Sequence, residues 1–215
     1  MKTYLIFFSF IVIQLNAQVD TTAFYKYTPS SVLKEGIYIT FEDFVQQNPL
    51  TYEQVIVSNQ TEDKSSLFTQ KNISYIDKYG ITKNIDTKNI WGYVLNNGLY
   101  VFYNKEFFRV SFIGTISHFI ATQVVKNYVS PMDPYNYYYY PYSNQTYETT
   151  NLVQNVIDFK SGRIYPFTPE SVLSLISNDP ALFNEYNALN KRKKKEMMFY
   201  YIRKYDENHP LYLHK

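Results

Sequence analysis

Cysteine is absent from the 215 residues. The chain therefore has no disulfide, no thiolate nucleophile and no thiolate metal ligand, and its core alone must hold it folded. Glycine is scarce, six residues in all and none of them clustered, which removes a glycine-rich phosphate loop. No G-x-S-x-G elbow occurs, so the simplest route to a serine hydrolase is missing. A Ser-His-Asp set drawn from separate places stays open. Histidine appears only at 118, 209 and 214. No two of them show ligand spacing with a nearby carboxylate, so neither a metal nor a cofactor is expected. Charge of one sign is lacking too. With 21 basic and 19 acidic residues the net charge is +2, which gives no long-range attraction to nucleic acid.

Long apolar runs are missing except at the N-terminus. Lys2 precedes LIFFSFIVI at residues 5–13, and Leu15-Asn16-Ala17 follows. That order of charge, apolar run and small residue reads as a signal peptide over residues 1–17, with Gln18 first in the mature chain. The run is too short for a spanning helix, which needs about 20 apolar residues. The alternative is a buried N-terminal strand. The expectation is an exported protein, periplasmic, outer-membrane-associated or extracellular, with no transmembrane segment in the mature chain. Export without cysteine points to a bacterium, since animal secreted domains more often use disulfides.

Aromatic residues are plentiful: 24 Tyr and 16 Phe make up most of the 19 % aromatic content. Both favour strands, so composition leans towards β. Residues 18–35 are polar and aperiodic and read as a flexible leader. A single domain is expected over residues 36–215. Gly36-Ile-Tyr-Ile-Thr40 reads as a strand. Thr40-Phe-Glu-Asp43 has capping-box spacing for a helix of about two turns that stops before Asn48-Pro49. Phe41 and Phe44, three apart, share one face of it. Strands are expected at 52–58, 67–69 and 73–76. The clearest hairpin joins 90–95 to 99–103, where Asn97-Gly98 supplies the two positive φ angles of a type I′ turn. Strands follow at 107–113 and 115–125, then a second hairpin, 152–159 with 163–167, around Lys160-Ser-Gly162.

The period then changes. Thr168 and Asp179 each cap a helix with proline at its first position. Val172, Leu175 and Ile176 form one stripe, and Phe183, Tyr186 and Leu189 the next. A last helix starts near Asn190 and carries Met198, Tyr201, Ile202 and Tyr205 at i, i+3, i+4 and i+7. Strands first and helices last predict an α+β fold: an antiparallel sheet that can curl, followed by C-terminal helices.

Few residues stand out as chemistry. His118 shares a strand face with Ile116, Ile120 and Val124, and a histidine there reads as a hydrogen-bonded core residue rather than a ligand. Glu42 and Asp43 are adjacent, so on a helix they point about 100° apart and do not face each other as a glycosidase pair would. They suit a helix N-terminus instead. Lys191-Arg-Lys-Lys-Lys195 runs all round a helix and reads as solvated surface rather than a lipid- or phosphate-binding face. Asn59, Asn72 and Asn144 each open an N-glycosylation pattern, which in a bacterium is normally idle.

The segment of residues 130–150 is different. MDPYNYYYYPYSNQTYE at 132–148 has prolines at 134 and 141, which exclude a regular helix or central strand. It reads as a long connection. Tyr135, Tyr137, Tyr138, Tyr139, Tyr140 and Tyr142 are the candidate ligand-binding residues, because tyrosine offers a broad ring with a hydroxyl for stacking and hydrogen bonding. The alternative is a tyrosine-rich connection that lies over the sheet or is a disordered low-complexity insert.

Several pieces together resemble uncharacterised exported proteins of Bacteroidota-type bacteria: Asn16-Ala17-Gln18, Gly36-Ile-Tyr-Ile-Thr-Phe-Glu-Asp-Phe44 with Asn48-Pro49, Ile90-Trp-Gly-Tyr93 and Tyr201-Ile-Arg-Lys-Tyr-Asp-Glu-Asn-His-Pro210. Asp20-Thr21-Thr22 looks like the short O-glycosylation acceptor of that phylum. The resemblance implies export and carries no activity and no functional residue. The function expected is a non-catalytic module that binds a partner protein or a glycan at the cell envelope. The alternative is a secreted hydrolase of envelope or dietary polymers.

Overall fold

Seven strands form one antiparallel sheet, and the helices, a second small sheet and a terminal strand pair pack against its faces. The computed structural model describes residues 23–56, 64–128 and 146–215; the expected signal peptide lies outside them. Strands are β1 (Phe24–Lys26), β2 (Gly36–Tyr38), β3 (Val55–Ile56), β4 (Asn72–Ile76), β5 (Thr82–Asp86), β6 (Gly92–Leu95), β7 (Gly98–Tyr103), β8 (Glu106–Phe112), β9 (Ile116–Tyr128), β10 (Thr146–Asp158), β11 (Arg163–Pro166) and β12 (Tyr212–His214). Helices are α1 (Phe41–Val45), α2 (Pro169–Leu175), α3 (Pro180–Asn187) and α4 (Lys191–Asn208). The main sheet runs β11-β10-β9-β8-β7-β6-β2 and curls into a half-barrel; β3, β4 and β5 form a second sheet, and β1 pairs with β12. The fold is α+β, as the order of strands and helices requires.

Two faces of the main sheet do different work. Cross-strand register puts Val94, Leu99, Val101, Val110, Phe119, Ala121 and Ile157 on one face. They bury together with Tyr38, Phe44, Phe159, Leu211 and Leu213 in the largest cluster. On the opposite face Ile116 and Val156 bury beneath Val172, Ile176, Leu182, Tyr186, Tyr201 and Ile202 of the helices. At the other end of that face Ile37 meets Val55, Ile73 and Ile90. β8 serves both ends because its register with β9 shifts between Val110 and Phe112. Strict alternation would send Phe107 and Phe112 to opposite faces. The irregularity returns Phe112 to the outer face, so Phe107 joins the β3–β5 cluster and Phe112 the helical one.

Local chemistry explains the ends of the elements. Thr40 and Asp43 form a complete capping box, Asp43 N–H donating to Thr40 Oγ1 at 3.1 Å and Thr40 N–H to Asp43 Oδ2 at 2.8 Å. α1 is five residues long, shorter than two turns, and Phe44 packs on Tyr38, Trp91 and Phe159. The first hairpin turns on Asn96 and Asn97, with φ 51° and 55°, rather than on Asn97-Gly98. Gly98 instead pairs with Leu95, where an added Cβ would lie 3.2 Å from the Tyr100 ring. Thr168, Asp179 and Asn190 cap α2, α3 and α4 through their side chains.

Other expectations are corrected. The stretch read as a flexible leader is in part built into the fold: β1 pairs with β12, Leu33 is 1 % exposed, and Leu33 N–H donates to Asn97 Oδ1 at 3.0 Å. Its partners lie far off in sequence, where no local pattern reveals them. Residues 67–69, read as a strand, belong to a 3-10 helix at Lys64–Thr69. A strand would send adjacent Leu67 and Phe68 to opposite faces, and the turn lets both reach the β3–β5 cluster. Tyr52–Gln54 is also 3-10, held by Thr51 N–H donating to Gln54 Oε1 at 2.9 Å. β5 and β12 had no sequence signal, and β10 begins at Thr146 rather than near residue 152.

Leu33→Ala tests the correction. It should cost about 2–5 kcal/mol in denaturant unfolding, the range for a fully buried leucine. A cost under about 0.5 kcal/mol would return residues 23–35 to a loose leader.

Candidate functional site

The six candidate tyrosines, Tyr135, Tyr137, Tyr138, Tyr139, Tyr140 and Tyr142, lie outside the described residues. In sequence they stand between β9 and β10, and those two strands are described. Each is 13 residues long, and they pair one to one from Ile116↔Asp158 to Tyr128↔Thr146. Among the described residues only their inner halves have further strand neighbours. β11 pairs with β10 from Asn155 to Asp158, and the paired residues of β8 meet β9 at His118 and Phe119. The outer halves therefore form a two-stranded ribbon.

His118 marks the boundary of the covered part. It is buried, as its place beside Ile116 leads one to expect. Its Nε2 lies 3.1 Å from Gln154 Oε1, and Phe112, Phe167 and Phe199 surround its ring. Burial holds its pKa below the usual imidazole range, opposed by the bond to Gln154, so it is a neutral core residue. Beyond it the same face is open. Ile120 is 44 % exposed, Val124 54 % and Leu152 75 %. Sequence periodicity placed Ile120 and Val124 on the His118 face correctly, but the helices reach only as far as His118. Polar pairs hold the ribbon: Lys126 Nζ to Glu148 Oε1 at 3.3 Å and Asn127 Nδ2 to Thr149 Oγ1 at 2.9 Å.

A second feature lies at the far end of α4. A cleft of about 400 Å³ is lined by Lys26, Tyr27, Phe112, Gly114, Arg203, Asp206 and Glu207 among others. Ile116 N–H donates to Asp206 Oδ1 at 2.8 Å, and the N–H of Thr115 also bonds the carboxyl. Thr115 Oγ1 donates to the His209 carbonyl. The β8–β9 turn is thereby fixed to the end of α4. Gly114 makes this approach feasible, since a Cβ there would fall 2.2 Å from Asp206 Oδ2. Burial pushes the Asp206 carboxyl up to about 7, and the two N–H donors only partly offset it. Asp206 gave no signal in sequence, because nothing local distinguishes it from any helical aspartate.

The remaining candidates have structural roles. Asp43 is in the capping box, and Glu42 Oε1 accepts from Gln46 Nε2 at 2.7 Å. In the basic run Arg192 pairs with Glu196 at 2.8 Å, and Lys194 Nζ donates to Asn187 at 3.1 Å. His209 Nε2 lies 3.1 Å from Asp179 Oδ2. Among the described residues no group of three or more potential metal ligands comes together, and no helix is long and apolar enough to cross a membrane. Comparison with known protein families, with curated proteins and with solved structures finds no match.

The Asp206 carboxyl carries a pH prediction. Its folded value lies above that of a free carboxyl, so the folded state holds the proton more tightly. Its contribution is most favourable below the unfolded value near 3.8 and is lost as pH rises towards about 7. The loss is on the order of 4 kcal/mol at most. Asp206→Asn, which cannot ionise, should gain stability relative to wild type between pH 4 and pH 8 in parallel urea titrations. A relative stability that falls over that range would mean the carboxylate is the favoured form.

Proposed function

We propose that this chain is an exported, non-catalytic module that binds a partner protein at the cell envelope through the outer face of its β9–β10 ribbon. The observation that carries the reading is the exposed row of Ile120, Val124 and Leu152 on a ribbon that no other strand or helix covers among the described residues. Two-stranded ribbons are marginal alone in water, and aliphatic side chains grouped on one face mark an interaction surface. Aliphatic groups suit a protein surface better than a sugar, which calls for flat rings and dense hydrogen bonding. The N-terminal order of Lys2, the apolar run and Ala17 supports export. The resemblance to exported proteins of Bacteroidota-type bacteria supports a bacterial envelope as the setting.

A hydrolase is the second reading, and one observation favours it. Asp206, with its raised pKa, sits in a cleft beside Glu207 and Arg203. A carboxyl protonated near neutral pH suits a general acid. Against this, its oxygens already hold the β8–β9 turn, and adjacent helical residues such as Asp206 and Glu207 diverge by about 100°.

The triple variant Ile120→Ser, Val124→Ser and Leu152→Ser tests the leading reading. A photo-cross-linker on the ribbon should trap a discrete envelope protein with wild type, and the variant should lose at least about ten-fold of the yield. Melting should change by only a few degrees, because these side chains are already in water. Retention of a polysaccharide by both proteins, with no protein adduct, would overturn it.

A further inference from the structure

One edge of the ribbon is specified more closely than its face. The Gln154 carbonyl accepts from Phe167 N–H at 2.9 Å, on the side away from β9. Backbone direction alternates along a strand, so the N–H and C=O groups of Leu152, Thr150 and Glu148 also point away from β9. β11 lies beside β10 only from Asn155 to Asp158, and after Phe167 the chain turns off into α2. The column that β11 occupies is therefore vacant alongside residues 146–153 among the described residues.

Exposed strand edges in natural proteins are guarded by lysine, proline, bulges or short length. The opposite edge of this sheet follows the rule: β2 has three residues, and Leu50 exchanges hydrogen bonds with Ile37 across it. Among the described residues the β10 edge has no such guard. Residues 146–154 contain no proline, pair with β9 without a bulge, and carry one charge, Glu148, which Lys126 of the same ribbon pairs.

We propose that this edge pairs with the same edge of a second copy of the chain, antiparallel and two-fold symmetric about Thr150. The argument is the self-complementarity of the stretch. Centred on Glu148, the pairing would set two carboxylates opposite each other, which destabilises. Centred on Leu152, it would set residues 146–150 of each copy against 154–158, where Phe167 and β11 already sit; centred on Thr150, only the terminal Thr146 comes opposite Gln154, and the ladder closes at Tyr147 and Val153. Centred on Thr150, it sets Thr150 against Thr150, Thr149 against Asn151, and Tyr147 against Val153 on both sides of the axis. Aromatic with β-branched and Thr with Thr are favourable cross-strand pairs. Glu148 meets Leu152, never its own copy. The outward N–H and C=O groups of Glu148, Thr150 and Leu152 in the two copies all find partners, about six hydrogen bonds by the antiparallel rule. The two half-barrels then share one continuous sheet. The Ile120, Val124 and Leu152 rows of both copies come side by side on one face. The pairing goes beyond the partner-binding reading and does not depend on it.

The absence of cysteine supplies the test. In the purified 215-residue chain, Thr150→Cys introduces a single thiol. In the pair the two Thr150 Cα atoms stand about 5.5 Å apart, within reach of a short bis-maleimide. A covalent dimer should form in high yield. Asn96→Cys, at the exposed tip of the β6–β7 hairpin, should give little. Sedimentation from about 1 to 200 μM should show wild type and Thr150→Val dimerising with concentration. Thr150→Pro should remain monomeric at least ten-fold higher in concentration, since proline removes the outward N–H and spares those facing β9. Wild type that stays monomeric throughout, or equal cross-linking at positions 150 and 96, would overturn the proposal. If Thr150→Pro fails to fold, the cross-linking comparison still decides. A monomer that nonetheless captures a partner through Ile120, Val124 and Leu152 ends this inference and leaves the functional reading standing.

Discussion

The ladder between β9 and β10 is the constraint on which the rest of the structure depends. Thirteen consecutive pairs without a slip fix the direction of every side chain on both strands. Phe119, Ala121 and Ile157 thereby enter the main cluster, while Ile116, His118 and Val156 face the helices. Hydrophobic burial on both faces encloses the inner half of this pair between two layers. A slip of one residue would place His118 in the main cluster and Phe119 under α4, so neither cluster tolerates it.

From that spine the sheet divides its outer face between two covers. The helices take the β9–β11 end, and β3–β5 with its 3-10 approaches takes the β2–β8 end. The irregularity in β8 is the joint between them, since it lets one strand feed Phe107 to one cover and Phe112 to the other. Asp206 and Thr115 then tie the β8–β9 turn to the end of α4. Neither cover extends over the outer half of the ribbon, and its exposed aliphatic row, and its open edge among the described residues, follow from that geometry. The functional reading is thus a consequence of where the covers stop.

Much of this was legible in the sequence wherever the cause is local. The caps at Thr40, Thr168 and Asp179 are side chain to backbone contacts within one turn, and all three were readable, while Asn190 marked only where the last helix starts. The hairpins at 96–98 and 160–162 announced themselves through turn residues, although the positive φ values fell on Asn96 and Asn97. The α+β order followed from the change of hydrophobic period at residue 168. The pairing of β1 with β12, the register shift in β8 and the Asp206 carboxyl under Gly114 were not legible. Each depends on residues far apart in the chain, and a polar stretch such as 146–151 has no hydrophobic alternation to mark it as strand. The candidate site was legible only in outline. The tyrosine segment pointed to the connection between β9 and β10, while the exposure of Ile120, Val124 and Leu152 depends on how far the helices reach.

Residue-resolved amide hydrogen exchange tests the central claim most directly. If the β9–β10 spine supports both covers, the N–H groups of Ser117, Phe119, Val153 and Ile157 exchange slowest in the chain, at the rate of global unfolding. Those of Val172 and Ile202 then follow the same denaturant dependence. A spine that exchanges faster than the β6–β7 hairpin, or helices that open by themselves while the spine stays closed, would contradict the account.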